Sequence, residues 1–151
     1  MNDWLQPIQE IAKTNQAQDT KLHSEFKKEF RTVSRTVRRL LKELGQIYWQ
    51  GTTPRWRIRV ERVSACEYWM QPNRFLLMLD KYRNQQGWRV RNTVRDEFFE
   101  VLLIHNESGY RYELSHNLTT TDTSEEQLKE ALCKMAALGP TTLDDVDGVL
   151  H

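Results

Sequence analysis

The chain has 151 residues, 38% apolar and 28% charged, with five Trp, five Tyr and five Phe, enough adhesive surface for one domain with a real core. No basic stretch leads into an apolar run at the N-terminus, and no window approaches the ~20 apolar residues of a membrane span. These features predict a soluble cytoplasmic protein that keeps Cys66 and Cys133 as free thiols. The formal charge is only +1, but it is sorted: residues 21–95 hold eighteen of the twenty-two Lys and Arg and six of the twenty-one acids, a net of +12. Residues 96–151 carry −9 and residues 1–20 carry −2. Such sorting suits an acidic or polyanionic partner, or an acidic part of the chain folded over the basic part.

In chain order, Trp4, Ile8 and Ile11 share one helical face, with Pro7 acceptable in a first turn, which predicts a short N-terminal helix. Asn15 to Asp19 has no large apolar side chain and reads as a linker or the solvated start of a helix, so residues 1–19 form an N-terminal segment outside the domain. Phe26, Phe30, Val33, Val37, Leu40, Leu44 and Ile47 then alternate in steps of four and three, the pattern of a long amphipathic helix over about residues 20–50. Asp19 or Thr20 could cap its start, and Gly51 with Pro54 ends it; Gly45 weakens its last turn. Leu22, Leu41 and Tyr48 widen the stripe beyond a coiled-coil seam, favouring packing on a sheet over a free coiled coil.

Arg55 to Val63 alternates Trp56, Ile58 and Val60 with charges, predicting a strand with Trp56 inward and Arg55, Arg57 and Arg59 together on the other face. A second strand is expected over Cys66 to Gln71, while Arg74 to Arg83 fits either helix or strand. Asn84 to Val90 and Asn106 to Tyr112 share one plan (Asn, two polar residues, Gly, aromatic), which reads as two tight hairpins with Gly87 and Gly109 supplying positive φ. With Glu107 and Ser108 as the loop pair, Phe99, Val101, Leu103 and His105 oppose His116, Leu114, Tyr112 and Tyr110 on an apolar face. The opposite face, with Glu100, Glu113 and Arg111 beside Leu102 and Ile104, is expected to be only partly covered.

The last helix is marked by a capping box of Thr123 and Glu126, a stripe of Leu128, Ala131, Leu132, Met135 and Leu138, and a stop at Gly139-Pro140. Glu125 with Lys129 and Glu130 with Lys134 form supporting pairs. The expected fold is therefore α+β: a long N-terminal amphipathic helix, an antiparallel meander of four to five strands, and a C-terminal helix packed on the sheet. One domain covers residues 20–139, and residues 140–151 form an acidic tail with Asp144, Asp145 and Asp147.

For function, Lys28, Arg31, Arg35, Arg38 and Lys42 fall opposite the apolar seam in a stripe roughly 20 Å long. With Arg55, Arg57 and Arg59 they form a candidate surface for an acidic partner or for nucleic-acid phosphates. The plainer alternative is a solvated outer helix face. Trp56 would point inward, leaving Trp88 or Tyr110 as the aromatic able to stack on a base. His105 and His116 lack a third metal ligand, Cys133 lacks an activating base, and no phosphate loop or nucleophile elbow is present, so no catalytic residue, metal or cofactor is assigned. The expectation is a non-catalytic interaction or regulatory protein that docks an acidic protein or a second copy of itself. Nucleic-acid association is the first alternative and an enzyme with an unannounced pocket the second.

Overall fold

From Leu5 to Tyr48 the chain forms one helix, α1, of 44 residues, about 66 Å long at 1.5 Å per residue. The computed structural model describes residues 4–64, 86–106 and 109–142, with residues 15–23, 64 and 106 described in their backbone only. The strand expected over Cys66 to Gln71, the segment 74–83, Glu107 and Ser108, and the tail from Leu143 with Asp144, Asp145 and Asp147 lie outside the described residues. The break expected at residues 15–19 is not there, and neither Asp19 nor Thr20 starts a helix. An absence of apolar side chains removes a packing face but not helix propensity. Gln, Ala, Lys and Glu are good helix formers, and no Gly or Pro interrupts residues 8–44. Trp4, Ile8 and Ile11, near the start of this helix, are all exposed.

The four-three stripe does bury its seam. Phe26, Phe30, Val37, Leu40 and Leu41 enter the core, with Val33 and Leu44 packed against it. Ile47 departs from the pattern and is exposed, because the helix ends one residue later and Trp49, only 2% exposed, turns inward. Gly45 has a packing reason: a Cβ there would lie 2.5 Å from Cγ2 of Val90 and 2.9 Å from Cγ2 of Ile58, so the sheet approaches the helix closely at this point.

A five-stranded antiparallel meander follows: β1 (Ile58–Ser64), β2 (Gln86–Asn92), β3 (Glu97–Asn106), β4 (Gly109–Leu114) and β5 (Leu118–Thr119). The helix α2 (Glu125–Leu138) and a short β6 (Thr141–Thr142) complete the described fold. β6 pairs with Glu97 and Phe98 of β3, so the first residues beyond Pro140 add to the sheet. Both helices pack on one face, where Leu128, Ala131, Leu132 and Met135 of α2 and the seam of α1 meet Trp88, Val90, Phe99, Val101, Leu103, Tyr112 and Leu114. The fold is α+β, as the sequence order implies.

The register of β3 and β4 pairs Val101 with Leu114, Leu103 with Tyr112 and His105 with Tyr110, as the apolar pattern requires. The pairing stops before His116, which sits in a 3-10 turn with positive φ and bonds through Nε2 to the Gly139 carbonyl at 2.7 Å. Gly109 does supply a positive φ, but Gly87 does not turn the chain. It lies within β2, and the β2–β3 turn is at Thr93 to Asp96, with Asp96 at φ 53°. Gly87 is needed for another reason: a Cβ there would sit 2.1 Å from the Val101 carbonyl oxygen. Trp88 is consequently fully buried and offers no outward stacking surface.

Two further expectations shift by a residue or more. Ser124, not Thr123, caps α2, accepting from the Gln127 amide at 3.4 Å, while Gln127 Oε1 accepts from the Thr121 amide at 2.8 Å. Thr123-x-x-Glu126 and Ser124-x-x-Gln127 fit the capping pattern equally. Asp122 favours the second by accepting from the Ser124 amide at 2.9 Å. On β1, residues Arg55–Arg57 form a 3-10 turn closed by Arg57 N–H to the Pro54 carbonyl at 3.0 Å, so the strand starts only at Ile58. Trp56 is therefore outside the alternation and 66% exposed rather than inward.

On the sheet face away from α1, Phe98 and Ile104 are buried and Leu102 half-buried, a fuller covering than expected. Between them run cross-strand pairs of opposite charge: Arg89 with Glu100 at 3.6 Å and Arg91 with Glu61 at 3.8 Å, with Arg111 paired to Glu113 at 3.3 Å. The Arg89 guanidinium lies 4.6 Å from the centre of the Phe98 ring.

Candidate polyanion-docking surface

Seven-residue spacing returns a helical side chain to nearly the same azimuth, so α1 carries its bases in two rows. Arg31, Arg38 and Gly45 form one, and Gly45 touches Ile58, so this row borders β1. Lys28, Arg35 and Lys42 form the next row, farther from the sheet. All five bases are exposed. Lys27, also exposed, extends the first row toward the N-terminus, and Arg62 approaches it from β1, with its guanidinium 4.8 Å from the centre of the Phe30 ring.

Arg55, Arg57 and Arg59 stand at the start of β1 and are exposed, but they do not share one strand face. Arg55 and Arg57 project from the 3-10 turn, and Arg59 lies on the sheet face away from α1, opposite Arg91. Among the described residues, none of the eight predicted bases forms an ion pair. Other cations do: Arg39 meets Glu125 at 2.6 Å and Glu43 at 3.7 Å, and Arg95 meets Glu97 at 2.7 Å.

The acids occupy the other side of α1. Glu25 and Glu29 lie near enough to Tyr110 on β4 to help burial raise its phenol pKa, and burial with Glu29 also raises that of Tyr112. α2 adds Glu125, Glu126 and Glu130, all exposed, of which Glu125 is met by Lys129 at 3.6 Å as well as by Arg39, and Glu130 by Lys134 at 3.5 Å. The molecule thus has a basic flank along α1 and β1 and an acidic flank along α1 and α2, joined at Arg39–Glu125. Of Glu125, Glu126, Asp144, Asp145 and Asp147, the acids that the folded-over reading sets against the basic surface, the three Asp lie outside the described residues, and Glu125 meets Arg39, which is outside the predicted stripe.

The Arg39 hydrogen bond holds the Glu125 carboxyl below its ordinary pKa, with Lys129 adding to the effect. The pair is therefore complete above the usual carboxylate range and is lost as pH falls through that depressed value. Arg39 follows Arg35 by four residues, so losing the 2.6 Å contact to Glu125 leaves a cation beside the stripe that only Glu43, at 3.7 Å, still meets. Glu125→Gln should therefore raise the salt concentration needed to elute the protein from heparin at neutral pH. An unchanged elution position would place Arg39 outside the docking surface.

The sequence concealed Trp56, because its neighbours alternate like a strand, and passed over Arg62, which falls on the β1 face toward α1. Pro54 was the available signal, since Pro followed by a closed 3-10 turn delays the strand. No helix among the described residues is long and apolar enough to cross a membrane. No protein-family model matches the chain, and neither a curated protein nor a solved structure matches it.

Proposed function

We propose that this chain is a non-catalytic cytoplasmic interaction protein whose basic flank docks an acidic partner. The observation that carries the reading is that Lys28, Arg31, Arg35, Arg38, Lys42, Arg55, Arg57 and Arg59 are exposed and form no ion pair among the described residues. A cation already matched by a carboxylate must break that contact before it can meet a partner; an unmatched one need only shed counterions. Exposed Glu25 of α1 and Glu126 of α2, which form no ion pair among the described residues, make a second copy of the chain one such partner, with opposite flanks facing each other.

The test is retention on heparin, on random-sequence duplex DNA and on polyglutamate across a salt series. Retention at low salt is expected on at least one matrix, with elution falling steeply as salt rises. A protein that passes through all three columns at low salt would have no such surface. Sedimentation at low and high salt tests self-association: opposed flanks predict a larger species that dissociates as salt screens the contact, whereas a monomer under both conditions removes the second copy as a partner.

A further inference from the structure

We infer that the basic flank binds a single-stranded nucleic acid, with Trp56 stacking on one of its bases while the neighbouring arginines and the α1 rows meet its phosphates. This rests on the docking reading above and goes further, because phosphate contacts alone would suit any polyanion. Trp56 is the distinguishing group. The residue is 66% exposed, unlike Trp49 and Trp88, which are buried; Trp4 is exposed too, but it precedes α1, far along the helix from Lys28. It lies between Arg55 and Arg57, and the Arg57 guanidinium sits 4.3 Å from the ring centre. A cation over one face of an exposed indole leaves the rest of the ring open to a second flat partner. Every base has such a face, whereas an acidic peptide has none to offer unless it carries its own aromatics.

The platform is held in place before anything binds. Pro54 fixes the entry to the turn, and Arg57 N–H closes it on the Pro54 carbonyl at 3.0 Å. The Arg57 carbonyl then accepts from both the amide of Thr93, at 3.0 Å, and its hydroxyl, at 2.8 Å. Fully buried Asn92 ties the same corner together, donating to Thr53 Oγ1 at 2.7 Å and accepting from the Val94 and Arg95 amides at 3.0 and 3.1 Å. A ring carried on a pinned turn loses little conformational freedom on stacking, so more of the stacking energy appears as affinity.

Position supplies the remaining support. The turn leads directly into Ile58, which touches Gly45 in the row of Arg31 and Arg38, so a strand anchored on Trp56 reaches the α1 bases without crossing the acidic flank. A duplex keeps its bases stacked on each other and can present a flat face only at its ends. A flexible single strand can turn one base onto the indole while its backbone follows the bases of α1.

The experiment measures binding of a labelled oligothymidylate of about 20 nucleotides by fluorescence anisotropy at low salt. A duplex of equal length, heparin and polyglutamate serve as comparisons. The native protein should prefer the single strand to the duplex and to polyglutamate. Trp56→Ala should weaken single-strand binding roughly ten-fold or more, the scale of one lost stack, while Trp56→Phe keeps most of it. Heparin elution should not move, because the phosphate-type contacts remain. Circular dichroism melts should match, since the ring lies outside the core. Equal single-strand affinity for Trp56→Ala and the native protein would overturn the inference, as would equal or better binding of duplex or polyglutamate. Heparin retention without any single-strand binding would sink this inference and leave the docking reading standing. Failure on every polyanion would remove both.

Discussion

Truncating Trp88 to Ala should cost about 3–5 kcal/mol, the range for deleting a buried aromatic, and so a large share of the ~5–15 kcal/mol that holds a domain of this size together. Trp88 is fully buried where α1 crosses β2. Its ring stacks on Phe30 with centroids 4.4 Å apart and planes 12° from parallel, and its Nε1 donates to Ser34 Oγ at 3.0 Å. The indole therefore joins helix to sheet by a packed face and a polar tip together. Trp88→Ala leaves a cavity against Phe30 and strands the Ser34 hydroxyl, so the urea midpoint should fall sharply. Trp88→Phe retains much of the stack and loses the bond, while Ser34→Ala removes only the acceptor, at about 1 kcal/mol. A double-mutant cycle between Phe30 and Trp88 isolates the ring pair, expected at about 0.5–1.5 kcal/mol. If Trp88→Ala unfolds at the native midpoint, this ring does not anchor α1 on β2.

That contact also shows where sequence reading stops. The seam from Phe26 to Leu44 is legible because a helix on a sheet imposes its period on the chain, and the β3–β4 register is legible because Gly109 fixes the turn and one face is apolar. Local pattern fails where a neighbour decides. Gly87 resembles Gly109 in its flanking residues, yet one turns the chain and the other admits the β3 backbone at close range. Ile47 continues the period of the seam but has no sheet beneath it, and Trp56 continues the period of β1 from a turn that precedes it. The α1 stripe was readable as the complement of the seam. That its bases meet no carboxylate among the described residues was not, because Arg39, between Arg38 and Leu40, reaches Glu125 eighty-six positions away in the chain.

The triple variant Arg31→Glu, Arg35→Glu and Arg38→Glu should abolish retention on heparin and on single-stranded DNA while leaving the melting curve close to native. These three bases link the two rows of α1, all are exposed, and none is held by a carboxylate among the described residues. Reversing them replaces attraction by repulsion in the middle of the surface, so a partner cannot use Lys28 and Lys42 together without crossing a negative patch. The helix itself loses little, because Arg and Glu have similar helix propensities. The new residues also gain favourable i,i+4 neighbours in the better order, position 35 with Arg39 and position 38 with Lys42. A stability change within about 0.5 kcal/mol is expected for such outward positions. The corresponding triple Ala variant separates charge loss from charge reversal: it should still bind, with the salt dependence on single-stranded DNA reduced by roughly 0.7 in log–log slope for each phosphate contact removed. Undiminished retention in the Glu variant would move the docking surface off α1 altogether. Loss of the folded state would mean that these arginines face the interior, with the helix rotated about its axis so that its basic rows, rather than the seam of Phe26 to Leu44, lie against the sheet.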